Sequence, residues 1–137
     1  MIEGQETKVM SVRDAIIEAM SEEMRRDENV FLMGEDVGVY GGDFGTSVGM
    51  LEEFGSERVR DTPISENAIS GCAVGAALTG MRPIVDVTFM DFIVYMMDNI
   101  VNQAAKTRYM YGGKGSVPVV FRCAAGSGLG SAAQHSQ

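Results

Sequence analysis

The sequence predicts an α/β fold of three layers, with helices on both faces of a mostly parallel β-sheet. Three observations carry that prediction. Continuous apolar runs such as Val30-Phe31-Leu32-Met33-Gly34 have the character of short strands buried on both faces. Segments with apolar residues at helical spacing alternate with these runs, the order that yields parallel strands joined by helical crossovers. Glycine outnumbers proline by 17 to 3, which fits tight turns and close helix–strand approaches better than a disordered linker.

Ser11 opens the first helix, and Asp14 three positions later gives a start resembling a capping box. Val12, Ala15, Ile16, Ala19, Met20 and Met24 fall at helical spacing and are expected to face inward. Asp14, Glu18, Glu22, Glu23, Arg25 and Arg26 take the other side, as a solvated face. Asp27-Glu28-Asn29 ends that helix, and the strand 30–34 follows. After Glu35-Asp36-Val37 comes a loop containing Gly41, Gly42 and Gly45. Thr46 or Ser47 is expected to cap a short helix that runs to Phe54 and stops at Gly55. Val59-Arg60-Asp61 is a weak strand, broken by Thr62-Pro63. Ser65-Glu66-Asn67 introduces an apolar helix over 68–78, ended by Gly80. Gly71 and Gly75 stand on one face of it, where small side chains admit another helix backbone.

Pro83 to Val87 reads as a further clear strand. A long helix is expected from Asp91 or Phe92 to Lys106, with Phe92, Ile93, Met96, Met97, Ile100, Val101 and Ala104 as a wide apolar stripe. Its polar side is thin, which predicts burial on more than one face, including by another subunit. Tyr109 to Gly115 is a turn, and Val117 to Phe121 the last strand. No covering helix follows that strand before the chain closes in a Gly-Ser-rich run. The sequence therefore reads as a piece of a longer polypeptide.

At 137 residues and 45% apolar, the chain suits one globular domain with a real core. No apolar run approaches the roughly eighteen residues of a membrane span, and the polar start at Met1 to Lys8 lacks signal-peptide or transit character. A net charge of -8 excludes a nucleic-acid-binding surface, which needs clustered Lys and Arg. Cys72 and Cys123 are expected to be buried, reduced thiols, and the location cytoplasmic. One histidine and no C-x-x-C leave no metal site. The 11 methionines fall mostly at apolar helix positions, as core or interface filler.

Few residues could carry chemistry. Glu66 opens a helix lined with Ala and Gly, between Ile64 and Ile69. A carboxylate there is either a plain helix cap or a proton-sharing group in a cleft at the carboxyl end of a parallel strand. His135 is ambiguous in the same way, as a structural imidazole or as an acid–base group. Gly126, Gly128 and Ser131 match the offsets of a dinucleotide fingerprint, but no helix or ribose-binding acid follows them. Gly112-Gly113-Lys114-Gly115 fails the P-loop spacing.

Taken together, several segments resemble the beta subunit of thiamine-diphosphate-dependent 2-oxoacid dehydrogenases. They are Thr62-Pro63-Ile64-Ser65-Glu66, Gly71-x-Ala73-Val74-Gly75-Ala76-Ala77 and Gly80-x-Arg82-Pro83. Further along come Asp98 with Asn102-Gln103-Ala104-Ala105-Lys106, Tyr109-Met110-x-Gly112-Gly113, and Ala133-Gln134-His135-Ser136-Gln137. The resemblance runs from Ser11 onward and is to pyruvate, branched-chain and acetoin dehydrogenase members.

What it implies is the pyrimidine-binding domain of that subunit, with residues 1–10 as an N-terminal arm and 11–137 as the domain. The domain would be cut short before its end and lack the subunit's C-terminal domain. By resemblance, Glu66 would hydrogen-bond the ring nitrogen of the aminopyrimidine of thiamine diphosphate and so promote loss of the thiazolium proton. An apolar surround that raises its carboxyl pKa would suit that role. Phe92 would stack on the pyrimidine, with Phe89 the second candidate. Glu35 and Ile64 would line the cofactor site, and His135 would act near the reacting centre, in acyl transfer to lipoamide.

The family's Gly-Asp-Gly motif for magnesium and diphosphate is missing, and Gly42-Asp43-Phe44 is not that pattern. An alpha subunit would therefore hold those groups in a heterotetramer that serves a lipoyl-bearing acyltransferase core, and this chain alone would turn over nothing. Two other readings remain. One is a pyrimidine domain of transketolase or deoxyxylulose-phosphate synthase type. The other is a noncatalytic flavodoxin-like module that binds a nucleotide through Gly126 to Ser131.

Overall fold

A computed structural model describes residues 8–131 and 133–135. The N-terminal arm expected over 1–10 falls outside them for residues 1–7, as do Ser136 and Gln137 of the closing motif.

Helix α1 (Val12–Arg26) begins where the sequence predicts, with the Ser11 hydroxyl accepting the Asp14 backbone N–H. Its inward face is rotated from the expected one. Met20, Ser21 and Met24 are buried with Ile17 beside them, while Val12 is 79% exposed and Ile16 lies at the margin. The helix ends against Arg58, whose guanidinium donates to the Met24, Asp27 and Val30 carbonyls and lies over the Phe54 ring. The Met24 carbonyl, in the last turn of the helix, would otherwise be among its orphaned acceptors.

Strand β1 (Val30–Gly34) is buried throughout, as a run apolar on both faces requires. Helix α2 (Met50–Phe54) is shorter than predicted. Ser47 does not cap it; the buried Ser47 hydroxyl donates instead to the Val37 carbonyl at 2.7 Å and ties down the loop after β1. Gly49, at φ +81°, takes the cap position, and Gly55 ends the helix. Then follow β2 (Val59–Asp61), α3 (Glu66–Leu78) and β3 (Arg82–Phe89), each close to its predicted place.

The long helix expected after β3 is not a single α-helix. Met90–Met96 is wound as 3₁₀ and Asp98–Ala104 as π, and only Ala105–Met110 is α-helical (α4). Asn99 in the π turn shows what the rewinding achieves. Its Nδ2 donates to Asn67 Oδ1 at 2.8 Å and to Ser70 Oγ at 2.9 Å, binding the segment to the first turns of α3. A Cβ on Gly71 would lie 3.6 Å from Asn99, whereas Gly75 faces open space, so only the first of the two helix glycines serves a close approach. Strand β4 (Val120–Ala124) starts three residues later than predicted. Pro118, which cannot donate to a ladder, falls outside it.

The sheet is parallel throughout, in the order β2-β1-β3-β4. Under α1 and α2 it buries Met20, Met24, Val30, Leu32, Val37, Met50, Val59 and Ile84. Under α3 and the 3₁₀ and π turns it buries Phe31, Met33, Ile69, Ala73, Val85, Val87 and Met96. The three-layer prediction holds. The cysteines are free, as expected, but not buried: Cys72 is exposed and Cys123 partly so.

Candidate active site

In this strand order the chain leaves β1 in one direction to reach β2 and lies on the other side of β1 in β3 and β4. The crevice between the carboxyl ends of β1 and β3 is therefore the topological switch point, where open parallel sheets hold ligands. Gly34 lets the two strands close there. A Cβ on it would stand 2.8 Å from both Cβ and the backbone oxygen of Asp86.

Glu35 follows Gly34 and is half-buried. Burial pushes its carboxyl above the ordinary range, and the neighbouring charge of Glu66 pushes it further, followed by Asp43, Asp36 and Asp86. Glu66 is the first residue of α3, and its charge is felt at Glu35. Asp43, in the loop after β1, is raised as well, by burial and then by the charges of Asp36 and Asp86. Asp61 at the end of β2 anchors that loop by accepting the Gly38 N–H at 2.6 Å and the Val39 N–H at 3.3 Å.

An aromatic cluster stands at the carboxyl end of β3. Phe89 and Phe92 meet edge to face at 5.9 Å, and Phe44 meets Phe89 in the same way at 5.4 Å. His135 stacks on Phe89 at 4.3 Å and touches Phe92 edgewise at 5.1 Å. The structure thus brings Phe92, Phe89 and His135 into one cluster. With the His135 ring on it, Phe89 has a stacking partner already, while among the described residues the ring pairs of Phe92 are edge to face. Ile64, on the turn before α3, is 81% exposed.

Phe44, Asp86 and Thr88 were not singled out by sequence. An acidic residue inside the apolar run 83–87 was the available signal for Asp86, and Phe44 carried none. Among the described residues no group of three or more His, Cys, Asp or Glu is placed to hold a metal ion.

Residues 8–137 match the family model described as the transketolase, pyrimidine binding domain. The chain belongs to that family. Within it, the chain is 50% identical over 134 residues to the pyruvate dehydrogenase E1 component subunit beta of Rhizobium meliloti, covering 98% of this chain and 29% of that protein. It is 49% identical over 142 residues to the beta subunit of acetoin:2,6-dichlorophenolindophenol oxidoreductase of Bacillus subtilis, covering 95% and 42%. Against the 2-oxoisovalerate dehydrogenase subunit beta of the same organism, identity is 50% over 129 residues, covering 94% and 39%. The pyrimidine-binding domain seen here thus spans well under half the length of these curated relatives.

Proposed function

We propose that this pyrimidine-binding domain belongs to the beta subunit of a thiamine-diphosphate-dependent dehydrogenase acting on a 2-oxoacid or acetoin, and that its crevice takes the aminopyrimidine half of the cofactor. What supports the reading is the Glu35 carboxyl after β1, raised by burial and by the charge of Glu66, together with the Phe89, Phe92 and His135 cluster after β3. A flat heterocycle with ring nitrogens and an amino group needs such a set: a carboxyl group to exchange a proton with it and a ring to cover its face. The names of the relatives, pyruvate dehydrogenase, acetoin oxidoreductase and 2-oxoisovalerate dehydrogenase beta subunits, support the same class.

When bound, thiamine diphosphate supplies a nucleophilic carbon and an electron sink. The residues of this chain supply the rest. Glu66 holds or accepts a proton at the pyrimidine ring nitrogen. Glu35, its carboxyl raised by burial and by the charge of Glu66, lines the same end of the sheet. Phe92 offers its face for stacking. His135, held by its stack on Phe89, would serve as an acid–base group near the reacting centre.

Diphosphate and magnesium fall to an alpha subunit, since no Gly-Asp-Gly motif is present. A docking face for a partner is at hand: Val94, Tyr95, Met97 and Val101 project exposed from the 3₁₀ and π turns. The acyl acceptor is a lipoyl-bearing acyltransferase core, and the compartment the cytoplasm.

The test is Glu66→Gln in the assembled alpha–beta complex, assayed with pyruvate, branched-chain 2-oxoacids and acetoin. Turnover should be abolished with assembly intact. Near-normal turnover would refute the role of Glu66, and turnover of sugar phosphates alone would move the domain to the transketolase type.

A further inference from the structure

Strand β3 does not run straight into the 3₁₀ segment that follows. Its ladder with β4 slips between Asp86 and Phe89. In the slip lies Thr88, buried, with φ +62°. The left-handed region is unfavourable for a β-branched residue and persists only where the surroundings impose it. The imposing group is Asp86. Its Oδ1 accepts the Thr88 backbone N–H at 3.0 Å, and its Oδ2 takes the Arg122 guanidinium from β4. Asp86 is only 8% exposed, and β1 closes against it at Gly34. A bulge of this kind bends a strand and re-aims the side chains that follow. Those side chains are Phe89 and Phe92, with His135 laid on the first of them.

We propose that Asp86 is a positioning residue: by holding the Thr88 N–H while Arg122 fixes its other oxygen, it sets the bend that aims Phe89, and with it Phe92 and His135, at the switch-point crevice. The catalytic weight of that aim rests on the function proposed above, but the placement does not and is measurable without cofactor.

His135 is the single histidine of the chain, so its ring protons form an isolated NMR reporter, shifted upfield by the Phe89 ring beneath it. Two double variants, D86N/R122M and D86A/R122M, both remove the ion pair. Asn keeps both the side-chain volume and an oxygen for the Thr88 N–H, and Ala keeps neither. The upfield shift should survive in the Asn variant and be lost in the Ala variant, with both folded by circular dichroism. Retention in both, or loss in both, overturns the proposal. Should either fail to fold, the unmodified chain decides. Bonded to a buried carboxylate, the Thr88 amide should exchange with solvent at least about a hundredfold more slowly than an open amide. Exchange at the open rate overturns the proposal. The cofactor reading stands or falls separately, on Glu66→Gln.

Discussion

The two faces of the sheet are covered to different extents. Under α3 and the 3₁₀ and π turns, apolar packing continues to the outer strand, where Val119, Phe121 and Cys123 join the core of Phe31, Val85 and Met96. Under α1 the packing is equally close at β1 and β2, around Leu32, Met24 and Val59, but it stops short of β4. There a groove of about 420 Å³ opens between Ile16, Met20, Ile84 and Val120, with Asp86 and Arg122 in its lining. The difference shows what a buried ion pair does at the margin of a core. Where apolar cover runs out, a charged pair bridges two strands and also pins the backbone bend that shapes the neighbouring crevice.

The largest effect expected from disturbing this contrast is at the groove. Arg122→Met leaves Asp86 charged and buried without its partner, which typically costs about 3–5 kcal/mol. Burial already depresses the Arg122 pKa, so desolvation of the guanidinium outweighs the help it receives from Asp86. Urea unfolding of the single variant against D86N/R122M measures the difference, and most of the loss should be recovered in the double variant.

Truncations inside the two closed cores come next. Leu32 and Met96 are both fully buried, one on each face, and replacing either by Ala should cost about 2–5 kcal/mol. Comparable losses would show that the two covered regions are equally well packed; a much smaller loss at Met96 would mark the 3₁₀–π face as the softer one.

Glu35→Gln should act with the opposite sign. The folded-state pKa of Glu35 lies above its unfolded value of about 4.5, so the native state binds the extra proton between those two values. Stability therefore falls as pH rises through that window and is fully present below it. The Gln variant should lose this slope and be more stable than the parent at neutral pH, as thermal unfolding over pH 4–8 would show. An unchanged slope would mean that the acidic crowd is relieved by solvent.

The smallest effect is expected at the open margin. Val120 is more than half exposed, and Val120→Ala should change stability by less than about 0.5 kcal/mol. A larger loss would mean that the groove is filled in solution.

Much of this was legible from residue order. The Ser11 cap, the buried run 30–34 and the helix led in by Glu66 are decided by neighbours a few positions apart, and they stand where the sequence predicts. The inward face of α1 was read only in part: Met20 and Met24 are buried as expected, but the N-terminal half of the stripe is not. Val12 and Ile16 are apolar enough to be read as core, but the sheet lies under Ile17, Ser21 and Met24. Glu66 and His135 stood out by residue type but stayed ambiguous, and Glu35, Ile64 and Phe92 came from the resemblance alone. Asp86 and Thr88 stayed hidden because an acid and a threonine inside a strand announce neither an ion pair nor a bend.

By itself the sequence determined the order of strands and helices, the parallel layered class and the helix that opens on Glu66, because caps, breakers and hydrophobic period act over one or two turns of chain. The tertiary structure alone decided that the Glu35 carboxyl is raised, where β3 bends and how the segment after it winds. Each of those depends on charges and hydrogen bonds from segments far apart in the chain: Glu66 beside Glu35, Arg122 on Asp86, Asn99 on Asn67. Burial makes those distant partners decisive, since a polar group taken out of water is governed by whatever the fold places next to it.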